Sequence, residues 1–228
     1  MVCLFQLAMS QLFAASGSAD TMEQLIEGYH RFRANDWQAE RERWAALETG
    51  QKPRIMVIAC SDSRVDPATI FDTPPGAMFV VRNVANLVPP FEVDGGRHGV
   101  SAALEFAVTQ LEVPQIMVMG HGGCGGVAAA LSRRFEGAAV GEGGFIAHWI
   151  DLLDDARDQI IADHGTGDAA VRALELESVK VSLRNLRTFK CIREREAAGV
   201  LKLRGSYFAL SEGVLHVLDE VTGMFSPA

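Results

Sequence analysis

Two short strings carry the chemistry of this chain. Cys60, Asp62 and Arg64 fall in C-S-D-S-R (60–64), and His121 and Cys124 fall in H-G-G-C (121–124). Two thiolates and one imidazole make three ligands of a tetrahedral Zn²⁺ ion. Three is the count of a catalytic zinc, which keeps its fourth position for water or substrate. Asp62 and Arg64 place a carboxylate and a fixed cation two and four residues after the first ligand. The set reads as a zinc lyase or hydratase that works through an activated water.

Zinc held by two thiolates and a neutral imidazole has a site charge near zero, so its water is less acidic than at a three-histidine site and needs help. Asp62 can give that help as a hydrogen-bond acceptor. The planar fork of Arg64 suits the task of holding Asp62 ionised and fixed. A sharp turn over 60–64, with Ser61 and Ser63 satisfying backbone groups, is expected. Gly120, Gly122, Gly123, Gly125 and Gly126 permit close backbone approach and leave amides at a helix start, a favourable place for a small anion. The competing readings are buried thiols beside a structural ion pair, and redox thiols, for which no C-x-x-C partner exists.

Those residues need elements to hold them. The apolar runs 54–59, 79–83 and 115–120 read as buried parallel strands, and 99–111 between them is apolar at helical spacing. A further helix is expected over 124–135, with long helical patterns at 144–163 and 168–188, the second capped by Asp168. Residues 201–210 and 214–219 read as two strands around a turn. Two helices are expected between Thr21 and about Glu48, divided at Asn35-Asp36. This alternation implies an α/β fold, a central mostly parallel β-sheet flanked by helices. Cys60 and the His121/Cys124 pair then lie at carboxyl ends of strands, the rim where open parallel sheets bind ligands.

The bulk numbers set limits. The chain has 228 residues, 48% hydrophobic and 22% charged, enough for one good-sized core. A formal charge of −8 argues against a nucleic-acid or anionic-membrane partner. Four cysteines are too few for a disulfide framework and suit a reducing cytoplasm, with Cys3 and Cys191 as incidental thiols. Residues 1–21 form an N-terminal extension that resembles a signal region but lacks its basic start, and they are too short to span a bilayer comfortably. The expected domain is 22–228.

The motifs A-C-S-D-S-R-V, F-V-V-R-N-V-A-N-L-V-P-P, G-V-S-A-A-L-E-F-A-V, M-G-H-G-G-C-G-G-V and E-S-V-K-V-S-L-R-N-L-R-T-F resemble, in that order, the β-class carbonic anhydrases. The resemblance implies a mostly parallel sheet wrapped by helices, a homodimer or higher homo-oligomer, and reversible hydration of CO₂ to bicarbonate and a proton. It implies Cys60, His121 and Cys124 as zinc ligands, and Asp62 with Arg64 as the catalytic dyad. Val57, where another branch carries tryptophan, points to the plant-type subgroup. By the same resemblance Gln51 is the substrate-binding amide, Phe79 and Val84 line an apolar pocket, and Phe106 stands where that branch often has tyrosine.

An apolar pocket suits CO₂, which offers no charge to grip, and Gln51 can orient a carboxylate-like product. His98 is a candidate proton shuttle or an exposed loop histidine. His30, His148, His164 and His216 read as surface or core residues. Two alternatives stand beside CO₂ hydration. One is hydrolysis of a CO₂ analogue such as carbonyl sulfide or carbon disulfide on the same scaffold, and the other is a zinc-binding protein without turnover.

Overall fold

The computed structural model describes residues 21–94 and 96–228, so residues 1–20 of the expected extension, with Cys3, lie outside the described residues. The chain divides at Gly50 into two compact units. The first holds α1 (Thr21–Ala34), α2 (Asp36–Ala39) and α3 (Arg41–Glu48). The break falls where expected, at Asn35, but that side chain makes no cap hydrogen bond, and Glu40 divides the second helix again. Within this unit Phe32 meets Trp44 edge-on at 5.7 Å.

The second unit is built on strands β1 (Ile55–Cys60), β2 (Met78–Asn83), β3 (Gln115–His121), β4 (Lys202–Ala209), β5 (Val214–Asp219) and β6 (Met224–Pro227). They form one sheet in the order β2-β1-β3-β4-β5-β6. The first four strands run parallel, and β5 and β6 continue the sheet antiparallel. From β1 the chain crosses to β2 on one side, and from β3 it crosses to β4 on the other. The connections therefore diverge between the neighbouring strands β1 and β3, the switch point at whose carboxyl ends open α/β sheets bind ligands. Cys60 is the last residue of β1 and His121 the last of β3.

β1 is I-M-V-I-A-C, buried on both faces, which explains its unbroken apolar run. Alternation assigns its side chains. Met56 and Ile58 pack with Leu104, Ile116, Val118 and Leu183, whereas Val57 and Ala59 pack with Met119, Ile70 and Phe71 on the opposite face.

The helices are α4 (Pro67–Ile70), α5 (Gly99–Glu105), α6 (Gly125–Leu131), α7 (Gly144–Ile150), α8 (Asp154–His164), α9 (Asp168–Leu186) and α10 (Lys190–Ala197). The pattern expected over 99–111 is helical throughout but widens to a π-helical turn over Phe106–Gln110. The helix expected over 124–135 stops at Leu131, and 144–163 is interrupted by a tight turn at Asp151–Leu153. α9 begins one residue past the cap position, which Gly167 occupies instead of Asp168. Its buried residues Leu174, Glu175, Ser178, Val179, Ser182, Leu183 and Leu186 form a helical stripe against the sheet.

Candidate metal centre

The sheet delivers Cys60 and His121 from adjacent strand ends, and α6 delivers Cys124 from the residue that precedes its first turn. All three are at least 95% buried, and among the described residues their ligand atoms lie within 4.8 Å of one another. Cys60 Sγ is 3.9 Å from Cys124 Sγ. The turn from β3 to α6 uses Gly123 at φ +68°, a left-handed conformation that glycine adopts without strain.

The histidine tautomer follows from its partner. His121 Nδ1 lies 3.0 Å from the Gly122 carbonyl oxygen, which can only accept, so Nδ1 carries the hydrogen. The neutral ring then offers a lone pair at Nε2. That atom is buried and has no hydrogen-bond partner among the described residues. Backbone-oriented histidines are the usual pattern at metal sites, and an orphaned buried acceptor beside two sulfurs fits a cation.

The electrostatics agree. The hydrogen bond from the Cys124 thiol, opposed by burial and assisted by His121, pulls the Cys60 thiol well below its ordinary value, which favours the thiolate. The same bond, together with burial, pushes Cys124 up. Burial disfavours a charged His121, but the negative Cys60 sulfur outweighs it and the net shift is upward. The opposite shifts of the two thiols arise from their mutual contact, and the rise of His121 reflects the negative sulfur beside it. Two sulfurs and one nitrogen are also a donor set that zinc prefers.

Asp62 is not among the three close ligand groups. Its carboxylate turns to Arg64: Nε donates to Oδ1 at 2.9 Å and Nη2 to Oδ2 at 2.7 Å. The Arg64 amide donates to Oδ1 as well, at 3.0 Å, so Asp62 rather than Ser61 or Ser63 closes the turn. The Arg64 bonds hold the Asp62 carboxyl far below the usual carboxylate range, and Asp62 in turn raises Arg64. The same Nη2 also donates to the Gly123 carbonyl at 2.9 Å, tying the dyad to the loop that carries Cys124.

The remaining expected residues are more dispersed. Phe79 on β2 and Phe106 stack obliquely at 6.0 Å. Val84 follows β2, its carbonyl accepting the Trp149 indole N–H at 2.7 Å, and Val84 and Phe106 are 40% and 46% exposed. Gln51 is exposed before β1, and Gly125 is exposed beside Cys124 with open space where a side chain would stand. His98 Nε2 pairs with Asp94 at 2.5 Å in an exposed loop.

Arg82, Glu175 and Tyr207 escaped the sequence reading. Arg82 on β2 donates to the Cys60 carbonyl at 2.9 Å and the Asp62 carbonyl at 2.6 Å, pinning the first motif from a neighbouring strand. Glu175 on α9 is 3% exposed; its Oε1 accepts the Cys124 amide at 3.0 Å and its Oε2 the Tyr207 hydroxyl at 2.7 Å. The available signal was an acid inside the apolar stripe of α9, where an unpaired carboxylate would be costly.

A family model described as "Carbonic anhydrase" matches residues 55–215. The mitochondrial beta carbonic anhydrase 6 of Arabidopsis thaliana is 38% identical over 197 residues, 86% of this chain and 67% of that protein. Among solved structures, the β-carbonic anhydrase CcaA superposes with a TM-score of 0.82 at 33% identity, over 91% of this chain and 92% of that one. A structure from a study of two tetrameric β-carbonic anhydrases of Sordaria macrospora gives 0.75 at 26% identity, over 91% and 100%.

Proposed function

The chain belongs to the β-class carbonic anhydrases, zinc-dependent lyases that interconvert CO₂ with bicarbonate and a proton, and we propose that here Cys60, His121 and Cys124 hold the zinc while Asp62 and Arg64 act as the catalytic pair. The observation that carries this assignment is His121 Nε2, a buried atom without a hydrogen-bond partner among the described residues, in a cluster whose ligand atoms lie within 4.8 Å of one another. Zinc, when bound, supplies the Lewis acidity that makes water nucleophilic near neutral pH.

The protein's part begins at Asp62. Oδ1 accepts two hydrogen bonds from Arg64, whereas Oδ2 accepts one, which leaves Oδ2 capacity to accept another from water. A hydrogen bond to Oδ2 turns that water's free lone pair towards the substrate carbon. Arg64 keeps the carboxylate ionised throughout, so Asp62 orients the water and remains an acceptor. The neutral form of Asp62 would lose two charge-assisted bonds.

CO₂ has no charge, and its pocket is accordingly apolar, formed by Phe79, Val84 and Phe106. Gln51 orients the bicarbonate product, and Gly125 leaves room above the ligands. This is the plant-type arrangement. We read residues 22–228 as one catalytic chain acting as a homo-oligomer built from dimers. The exposure of the apolar Val84 and Phe106 side chains supports that, since a second subunit would cover them. Tetrameric relatives are consistent with this reading. No described helix is long and apolar enough to cross a membrane. The thiolate chemistry favours a reducing compartment, and we place the protein in the cytoplasm.

Stopped-flow measurement of CO₂ hydration on the zinc-loaded protein tests the reading. A rate well above buffer, rising from about pH 7 to 9 as water is deprotonated, is expected. A rate equal to buffer across that range rejects it.

A further inference from the structure

The Gly123–Cys124 peptide is gripped from both ends. Its carbonyl accepts Arg64 Nη2 at 2.9 Å, and its N–H donates to Glu175 Oε1 at 3.0 Å. A peptide is planar, so neither group can turn without the other. One plane thereby carries a metal-ligating residue at one end and an anchor of the catalytic arginine at the other.

The Glu175 carboxylate is itself fixed. Its second oxygen accepts the hydroxyl of Tyr207, a fully buried residue, at 2.7 Å. The Arg172 guanidinium lies 3.9 Å over the Tyr207 ring. Gly122 makes this possible, because a Cβ there would come within 2.9 Å of the Tyr207 hydroxyl oxygen. A continuous hydrogen-bonded chain thus runs Tyr207–Glu175–peptide–Arg64–Asp62. Burying a carboxylate is expensive, and this one spends both oxygens on the loop and on its own orientation.

Building on the zinc assignment above, we infer that Glu175 is a positioning residue. It locks the Gly123–Cys124 peptide plane, so that metal ligand and catalytic dyad keep one relative geometry. It touches neither substrate nor metal.

The test uses the full-length protein with three substitutions, E175A, E175Q and Y207F. Zinc release to a chromogenic chelator is timed, and the thiolate-to-metal absorption of the cobalt(II)-loaded protein is recorded. Outer-shell partners of metal ligands typically contribute about 10- to 100-fold in metal affinity or activity. E175A is therefore expected to release zinc about 10- to 100-fold faster and to alter the cobalt spectrum. Glutamine retains an Oε1 acceptor for the Cys124 amide, so E175Q should stay within about threefold of the parent, a rescue that follows from the acceptor's geometry. Y207F should release zinc several-fold faster.

A folded E175A with parental release and spectrum overturns the inference. E175Q as defective as E175A also overturns it, by assigning the effect to charge. Should E175A fail to fold, a Y207F with parental release and spectrum overturns it equally. Parental protein without stoichiometric zinc rejects the zinc assignment itself, a result separable from all of these.

Discussion

Arg64 holds both oxygens of Asp62, Nε on Oδ1 at 2.9 Å and Nη2 on Oδ2 at 2.7 Å, although only one residue separates them in sequence. So short a loop can place a fork against a carboxylate because the Arg64 amide also donates to Oδ1, which bends the backbone back on itself. Arg82 then ties the bend to β2.

That pairing makes the first prediction. Asp62→Asn keeps the shape but weakens the acceptor, and kcat/KM should fall by roughly 10²-fold, the scale of a lost orienting contact. Zinc content by metal analysis should stay at the parental level. Arg64→Lys should also lose activity, because an ammonium cannot make the two parallel bonds. Parental kcat/KM in Asp62→Asn would mean that the dyad is idle.

Removal of the metal should report on the thiols. After incubation with a strong chelator, a thiol reagent should find Cys60 and Cys124 newly reactive, and thermal stability should fall in proportion to zinc lost, since the ion binds the folded chain alone. Cys124→Ser should not retain stoichiometric zinc. Equal thiol counts before and after chelation would argue against sulfur ligation.

A third expectation concerns acid. Asp66 precedes α4, and its carboxylate is held below the usual range chiefly by the Thr69 amide, with the Thr69 hydroxyl and Arg82 also contributing against burial. A depressed folded value means that its stabilisation is complete above the unfolded value of about 3.9. It is lost as pH falls through the folded value. Asp66→Ala should cost about 1 kcal/mol near neutrality as a lost cap. The gap to the parent in urea titrations should close as pH drops below about 4. A gap independent of pH would exclude the ionised cap.

The fourth prediction is steric. A Cβ on Gly120 would sit 2.7 Å from Val179 Cγ2 and 3.4 Å from the Glu175 carbonyl. Gly120→Ala should therefore push α9 off β3 and destabilise by about 1–3 kcal/mol, the usual cost of overpacking. Urea denaturation reads this directly, and a stability within error of the parent would show that α9 yields freely.

The parallel strands were legible because burial on both faces leaves an unbroken apolar run, as in I-M-V-I-A-C. Cys60, His121 and Cys124, which the fold gathers, and Asp62 and Arg64, which pair, stood out in the sequence by residue type and short spacing. α4 was not, since four residues starting at a proline carry no periodicity. α10 was missed because Ile192 alone is buried, and beside it only the partly buried Cys191 packs on the core, which is too little to mark a helical period. β6, M-F-S-P, lacks both alternation and a clean end. Glu175 and Arg82 act across packed elements, and contacts of that kind exist only once α9 and β2 have docked.

The divergence of the chain between β1 and β3 has a consequence for how the protein matures. No fragment ending before residue 121 can own more than one of the three ligand side chains, and none of the three shares an element with another. A polypeptide emerging residue by residue must therefore finish pairing strands that are distant in sequence before it can offer an ion all three side chains. Metal capture then follows the pairing of β1 with β3, and a cell short of zinc should accumulate a folded, silent protein.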